Sequence, residues 1–174
     1  IYREAAEAVY VAFADRNPTS DRAPDALRNA IETYVLADSV ARVKGDGNAS
    51  SAAKQRALEL SQRLVTSYPT YKYRVQYQAL QTQLLADLGK RDEAASALET
   101  LIRENPSWPG RADAMVRLAV DYDSLAKPKD EAAAYERFAI AYPKDARAVV
   151  SQYNAAVAYL QYADTASAIR SYDT

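Results

Sequence analysis

The sequence predicts an all-α protein built from antiparallel helix pairs that repeat about every 37 residues. Three observations support this fold class: a helix-forming composition, a constant step between prolines, and apolar residues at helical spacing. Of 174 residues, 49% are hydrophobic, while only 4 are glycine and 7 are proline. This mix favours helices and contains few signals for β-hairpins. The length allows one ordinary domain with a hydrophobic core.

The repeat is visible in the prolines at positions 69, 106 and 143, because 106 − 69 and 143 − 106 are both 37. The segments before these prolines align without gaps, and they begin at Ala57, Ala94 and Glu131. A fourth such segment begins at Ala168 and reaches the last residue. A single period maintained over this many positions indicates a repeat protein.

Each repeat contains the pattern of two helices. In the third complete unit, apolar residues at spacings of three and four define one face of a first helix: Ala114, Leu118, Ala119, Tyr122 and Leu125. A short turn follows, and a second helix is predicted from about residue 130 to residue 142. Pro143 ends it, because proline cannot continue a helix and disfavours helical geometry in the residue before it.

The same register predicts the organisation of the whole chain as a single array. It divides into the second helix of a truncated repeat (1–18), three repeats (23–69, 70–106 and 107–143) and a final truncated repeat (144–174). A repeat buries its apolar face only against its neighbours. We therefore expect a longer solenoid, with adjoining repeats or subunits at both open ends.

The first complete repeat is longer than the others. Ala57 lies 51 residues after Ala6, which is 14 more than the period. The Gly-Asp-Gly-Asn run predicts that much of this extra length is a loop over residues 43–54. A calcium loop of the EF-hand type would need glycine and glutamate at Ser51 and Ala57, and a phosphate loop would need serine or threonine after Lys54. Neither is present, so we interpret the segment as a solvated connection.

Several residues occupy the positions that define a known repeat family. These are Leu88, Gly89, Ala94, Pro106, Leu118, Ala119, Tyr122, Tyr135, Pro143, Ala156, Tyr159, Ala168 and Tyr172. The pattern resembles the tetratricopeptide repeat, in a form slightly longer than its usual 34 residues. Glu131, at an alanine position, departs from it. The Tyr-Pro endings at residues 68–69 and 142–143 resemble bacterial envelope members, such as outer-membrane assembly lipoproteins and Tol–Pal coordinators.

Composition limits the chemistry that the chain can perform. Cysteine and histidine are both absent, which excludes disulfides, thiolate chemistry, the usual zinc sites and Ser-His-Asp triads. A net charge of −1 provides no field that favours nucleic acid, and no apolar run is long enough to span a membrane. Adjacent acids such as Asp121 and Asp123 point in different directions on a helix. We expect no catalytic residue, metal or cofactor in this chain.

Aromatic residues have two possible roles. The 14 tyrosines, including Tyr71, Tyr73 and Tyr77, lack a basic stripe beside them, so packing between helices is favoured over a stacking platform. Trp108 is either an exposed anchor for a partner or a staple that joins one repeat to the next.

The resemblance implies a right-handed superhelix whose concave wall is formed by first helices. Transferred in register, the candidate partner-binding groove comprises Gln76, Gln83, Asp87, Asp113, Arg117, Asp123, Tyr153, Asn154 and Gln161. A less certain set from the first repeat comprises Asp25, Arg28, Asn29 and Glu32. This wall is predicted to be polar and mixed in sign. The family's lysine-asparagine clamp for carboxylates is not reproduced, because Ala79, Val116 and Val120 stand where clamp residues would be needed.

The resemblance therefore implies a protein-interaction scaffold of a larger assembly, periplasmic or elsewhere in a bacterial cell envelope, that binds a protein or peptide in its groove or at its open ends. Two alternatives remain at this point. The repeats could form a structural rod with an empty groove, or an accessory arm of an enzyme whose chemistry lies outside this chain.

Overall fold

The computed structural model describes residues 5–172, and all regular elements in this range are helices. The chain forms two compact units, residues 1–94 and 95–174, which we describe separately. In the first unit, a π-helical segment (Ala6–Val11) continues as α1 (Ala12–Arg16) and is followed by α2 (Ala23–Val43), α3 (Gly47–Ser67) and α4 (Arg74–Asp87). Helix α5 (Arg91–Glu104) begins there and extends into the second unit, which contains α6 (Arg111–Ser124), α7 (Pro128–Ala141), α8 (Ala148–Gln161) and α9 (Thr165–Tyr172).

The helix boundaries recur with the period that the sequence predicts. First helices begin at residues 74, 111 and 148 and end at 87, 124 and 161, so each step is 37. Second helices begin at 91, 128 and 165, again with a step of 37. The all-α, tetratricopeptide-like fold class is thereby confirmed. The outermost predicted boundaries, at residues 1 and 174, and the side chain of Tyr172 lie outside the described part of the chain.

The first unit has its core between the π-helical segment, α2 and α3, which pack against one another. Leu27, Ile31 and Leu64 are fully buried there, and so are Ala6 and Ala57 at the small position of the repeat. In the second unit, α7 packs against both α6 and α8, and α9 packs against α8. Small side chains at the crossing points allow the helix axes to approach closely, so they are buried without a cavity.

The predicted loop over residues 43–54 is wrong in extent. Helix α2 continues to Val43 and α3 begins at Gly47, which leaves only residues 44–46 as a connection. Each of these helices has 21 residues, seven more than the 14-residue helices of the later pairs. The 14 additional residues are therefore two extra helical turns on each side. Because seven residues are close to two turns of 3.6, the added length keeps the apolar face in register.

The Gly-Asp-Gly-Asn run at residues 45–48, from which the loop was predicted, instead forms a tight turn and the start of α3. Gly45 has a φ of +69°, its N–H donates to the carbonyl of Arg42, and the N–H of Asp46 donates to that of Ala41. This is the Schellman pattern, which satisfies the last carbonyls of a helix. The Asp46 carboxylate then accepts a 2.8 Å bond from the N–H of Ala49 and caps the start of α3.

Candidate functional site

Candidate residues of the first unit are exposed on α4. Gln76, Gln83 and Asp87 all lie at the surface, and the Gln83 amide donates a 2.7 Å hydrogen bond to the Asp87 carboxylate. Their exposure agrees with a surface role, although it does not test whether a partner binds there. The residues between them on the same face are Ala79 and Ala86, so this face of α4 is small and polar.

The less certain set on α2 is engaged in packing within the first unit. The Tyr71 hydroxyl donates a 2.6 Å bond to Asp25, and the Tyr77 hydroxyl donates to Glu32 at 3.2 Å. Burial and the neighbouring carboxylates raise the pKa of both phenols. Tyrosine packing between helices, which the sequence favoured, is therefore what these two residues do. Asp25 and Glu32 thus accept hydrogen bonds from residues in and just before α4, and a role for them in binding a partner stays a prediction.

The polar candidates of the second unit lie on α6 and α8. Asp113, Asp123, Tyr153 and Gln161 are exposed, whereas Arg117 and Asn154 are half-buried. Most of the polar side chains have partners inside the unit. Asp113 accepts a 2.7 Å bond from Arg147, Arg117 lies 3.7 Å from Asp121, and Asn154 donates to the Tyr135 hydroxyl.

The sequence analysis missed an exposed apolar face on α8. Val150, Tyr153, Val157 and Leu160 recur at spacings of three and four and lie within about 80° of one another around the helix, at 100° per residue. We refer to these four residues as the apolar row. Val150, Tyr153 and Leu160 are 59%, 56% and 50% exposed, and Val157 is half-buried.

Helix α6 carries the corresponding face one period earlier. Asp113, Val116, Val120 and Asp123 precede the four residues of the apolar row by 37, and Val120 is 47% exposed. The same register on α4 gives Gln76, Ala79, Gln83 and Ala86. The sequence predicts a wall that is polar and mixed in sign, whereas on α8 the four positions of the apolar row are apolar and lie beside the polar candidates Asn154 and Gln161. The sequence did contain a signal for this exposed apolar row, because α8 has more apolar residues than its one buried face requires.

An arginine fixes the start of α8. Arg147 makes bonds of 2.9 and 2.8 Å to the two carboxylate oxygens of Asp145 and one of 2.7 Å to Asp113 on α6. Arg147 lowers the pKa of Asp145 to about 2. The guanidinium also lies over the ring of Phe138, with 5.3 Å between its Cζ and the ring centroid. These contacts hold the beginning of α8 beside α6 and α7.

Glu131 is a buried acid with an unsatisfied oxygen. The residue is 8% exposed at the first turn of α7, and its Oε2 has no hydrogen-bond partner. Burial, and then the nearby charge of Asp123, raise the pKa of Glu131. In the sequence, Glu131 stands where the repeat pattern has alanine. In the structure, the consequence is a buried carboxylate with one oxygen that lacks a hydrogen-bond partner. An uncompensated carboxylate in this place costs stability.

Residues 5–172 contain neither a metal-binding cluster nor a membrane-spanning helix. Within this range, no group of three or more potential metal-ligating side chains comes together. Asp121 faces Arg117 while Asp123 lies near Glu131, so the two acids do not share one substrate position. None of the described helices combines the length and the hydropathy needed to cross a bilayer.

Trp108 lies over the backbone of Gly110. A Cβ atom added to Gly110 would lie only 2.5 Å from the indole ring, so the ring already occupies that space. The backbone of Trp108 also accepts a bond from the N–H of Arg111 at 3.0 Å. The ring thus covers the start of α6, and the choice between a staple and an exposed anchor stays a prediction.

Comparisons with known proteins agree on the fold. No protein-family model matches the chain. No curated protein sequence matches it significantly either. Among solved structures it is similar to MamA (18% identity, TM-score 0.56, 99% of this chain and 85% of that one). It is also similar to BtubC (BKLC) from P. vanneervenii (17%, 0.54, 99% and 68%) and to a putative kinesin light chain from Podosopora anserina, described as having TPR-like repeats (15%, 0.52, 99% and 93%). At these identities the similarity shows the fold alone.

Proposed function

We propose that this chain is a protein-interaction scaffold that binds an amphipathic segment of a partner protein along α8 and α6. One observation carries the proposal: the apolar row is exposed on a helix whose other faces are already packed against α7 and α9. Exposed apolar surface of this kind is typical of interaction sites, and Val120 adds an exposed apolar side chain on α6. Support at the level of fold comes from the TPR-like neighbours.

The partner's contact surface is expected to be apolar at its centre and polar at its edge. Tyr153 supplies a large amphipathic side chain in the middle of the apolar row, and such residues often dominate binding energy. Asp113 and Asp123 flank Val116 and Val120 on α6. These acids suit a segment in which basic residues flank the apolar anchors.

A photoreactive amino acid placed at Tyr153 would identify the partner in extracts of the source cells. The same amino acid at Val43, which is 89% exposed at the end of α2, is the matched control. We expect a discrete crosslinked protein from position 153 that is missing from position 43. Identical products from both positions would contradict the proposal.

The affinity for that partner should then depend on the apolar row. Val150→Ser/Tyr153→Ser/Leu160→Ser should weaken binding by about a hundredfold, because each lost apolar anchor contributes on the order of 1 kcal/mol. Val35→Ser/Leu36→Ser/Val43→Ser removes three exposed apolar side chains from α2 and should leave affinity unchanged. Unchanged binding by the first variant, with normal helical circular dichroism, would exclude the apolar row as the site.

The polar candidates are expected to contribute less. Asp113→Ala/Arg117→Ala/Asp123→Ala should reduce affinity by about tenfold or less, because Asp113 and Arg117 are already engaged within the second unit. A larger loss from this variant than from the apolar one would reverse the order of importance and restore the polar groove as the site.

We also infer a bacterial envelope setting, supported by the Tyr-Pro endings at residues 68–69 and 142–143. Fractionation of source cells that express the full-length gene tests this inference. Recovery of the product in the cytoplasm alone would contradict it.

A further inference from the structure

A cleft of about 560 Å³ lies in the second unit between the end of α5, the first half of α6 and the second half of α7. Its buried lining is apolar and consists of Ile102, Met115, Leu118 and Ala134, while Ile140, 72% exposed, stands at its edge. We propose that this cleft binds a ligand with an apolar body and one anionic head group, of which a medium-chain aliphatic carboxylate is the simplest example.

The charge of the lining selects an anion. Each of the three helices contributes one arginine, Arg103, Arg111 and Arg137, whereas the lining contains a single acid, Glu99. Glu99 is already engaged: Arg137 donates to it at 3.1 Å, and it also accepts a hydrogen bond from Tyr122. Arg103 also lies 3.7 Å from Glu104, which is outside the lining. After these two ion pairs are counted, Arg111 leaves the cleft with an excess of one positive charge.

Arg111 is held in place by neutral acceptors. Its Nε donates to the carbonyl of Ile102 and its Nη1 donates to the Tyr142 hydroxyl, both at 3.2 Å. These bonds orient the guanidinium without neutralising its charge. Arginine presents a planar fork of donors that matches a carboxylate, so an oriented arginine beside an apolar floor is suited to this head group.

The repeat does not require the combination of an apolar floor with three arginines. One period earlier, the positions of Met115 and Leu118 are Gln78 and Gln81, and one period later the position of Arg111 is Ala148. The positions of Arg103 and Arg137 are Thr66 and Thr100 one period earlier. The position of Arg111 one period earlier is also an arginine, Arg74, whose Nε donates to the carbonyl of Val65. The arginine at this place therefore recurs, whereas its combination with an apolar floor and two further arginines is absent from the corresponding positions one period earlier.

Size and shape fit a small amphiphile. The volume lies within the range of about 300–1,000 Å³ that small-molecule sites occupy. Along α7 the lining extends from Ala134 to Ala141, a distance of about 10 Å at 1.5 Å per residue. Met115 on the floor can adapt to an aliphatic chain, because its side chain is flexible and polarizable.

Titration of the whole chain with decanoate tests the proposal, with isothermal calorimetry for affinity and ¹H–¹⁵N spectra for location. We expect saturable binding, with shifts concentrated in residues 99–103, 111–118 and 134–141. Decyltrimethylammonium has the same chain with a cationic head, and acetate has the head without the chain. Binding of either as strongly as decanoate, or decanoate shifts located elsewhere, would overturn the proposal.

Variants then test the charge. Arg103→Gln/Arg137→Gln removes two exposed arginines and should weaken decanoate binding by about tenfold or more. Arg91→Gln/Lys129→Gln removes the same charge from the opposite ends of the same two helices and should change affinity less than about twofold. Equal affinities of the two variants would contradict the assignment. None of these residues belongs to the apolar row, so this test is independent of the partner-binding proposal.

Discussion

Two helix pairs, α2–α3 in the first unit and α6–α7 in the second, have the same turn but differ in helix length and in the surroundings of a buried acid. Both are joined by three-residue turns, 44–46 and 125–127, with the same backbone pattern. The N–H of Lys127 donates to the carbonyl of Tyr122, as that of Asp46 does to Ala41. The pairs differ in helix length, 21 against 14 residues, and in how each accommodates a buried acid.

In the long pair, the buried acid is compensated. Asp38 is 7% exposed, and it accepts a hydrogen bond from Ser50 while Lys54 and Arg42 approach its carboxylate to 3.5 and 3.3 Å. In the short pair, Glu131 has a like charge nearby and an oxygen without a partner. Asp38 lies in the last part of α2 and its partners Ser50 and Lys54 in the first part of α3, where the long helices run beside each other. The additional turns thus provide room for a polar network as well as apolar packing.

The largest expected effect comes from breaking that network. Asp38→Ala would leave the largely buried Lys54 ammonium without its carboxylate, and it should lower the free energy of unfolding by about 2–3 kcal/mol. Urea denaturation followed by circular dichroism measures this. Asp15→Ala, which removes an exposed pair with Arg63, is the control and should cost about 0.5 kcal/mol. Equal losses from both would show that the network is not stabilising.

For Glu131, the acid without a compensating partner, we expect a substitution to increase the free energy of unfolding rather than decrease it. Glu131→Gln should raise the free energy of unfolding by about 1 kcal/mol at pH 7, because it removes a buried charge while keeping the side-chain shape.

The effect of Glu131 should also depend on pH. Its folded-state pKa is raised, so the native state binds more protons than the unfolded state above about pH 4.3. The contribution of Glu131 to stability should therefore fall as pH rises from about 4.3 through its raised folded-state pKa, and the advantage of Glu131→Gln should vanish below that window. Unfolding curves between pH 3.5 and 8 provide the measurement, and a pH-independent difference would contradict this origin.

The two turns also differ in helix capping, and the expected effect on the free energy of unfolding is smaller than that of Asp38→Ala. Asp46 caps α3 through its side chain, whereas Lys127 at the start of α7 makes no side-chain cap. Asp46→Ala should lower stability by about 1 kcal/mol. Thermal unfolding would show this as a decrease in Tm, and an unchanged Tm would contradict a stabilising cap.

An effect of similar or smaller size should come from the left-handed residue of each turn. Gly45 has a φ of +69° and Ala126 one of +53°, and a Cβ added at Gly45 would meet no atom within 4 Å. Gly45→Ala should therefore cost about 1 kcal/mol from conformation alone, and Ala126→Gly should gain about 0.5 kcal/mol. A loss of stability in Ala126→Gly would indicate that its Cβ packs more favourably than its backbone is strained.

Much of the fold follows from local signals. Pro143 and the other prolines at the same step end second helices, and the alanines at the start of those helices mark the closest approach of each pair. The same register correctly gave the helices that carry the candidate residues. The register did not predict the exposed apolar row of α8, because the sequence alone does not show whether a residue such as Val150 is buried or exposed. It also placed much of the extra length in a loop over residues 43–54, since Gly45 and Asn48 are turn formers whether a connection is long or short.

The sequence by itself determined the period, the helix pairs and the positions of small residues, because these depend on spacing and on backbone preferences that act within a few residues. Only the tertiary structure decided which apolar residues stay uncovered, which acid finds a partner and where three arginines surround one cleft. Those outcomes depend on residues such as Arg103, Arg111 and Arg137, which lie on three different helices and meet only when those helices pack.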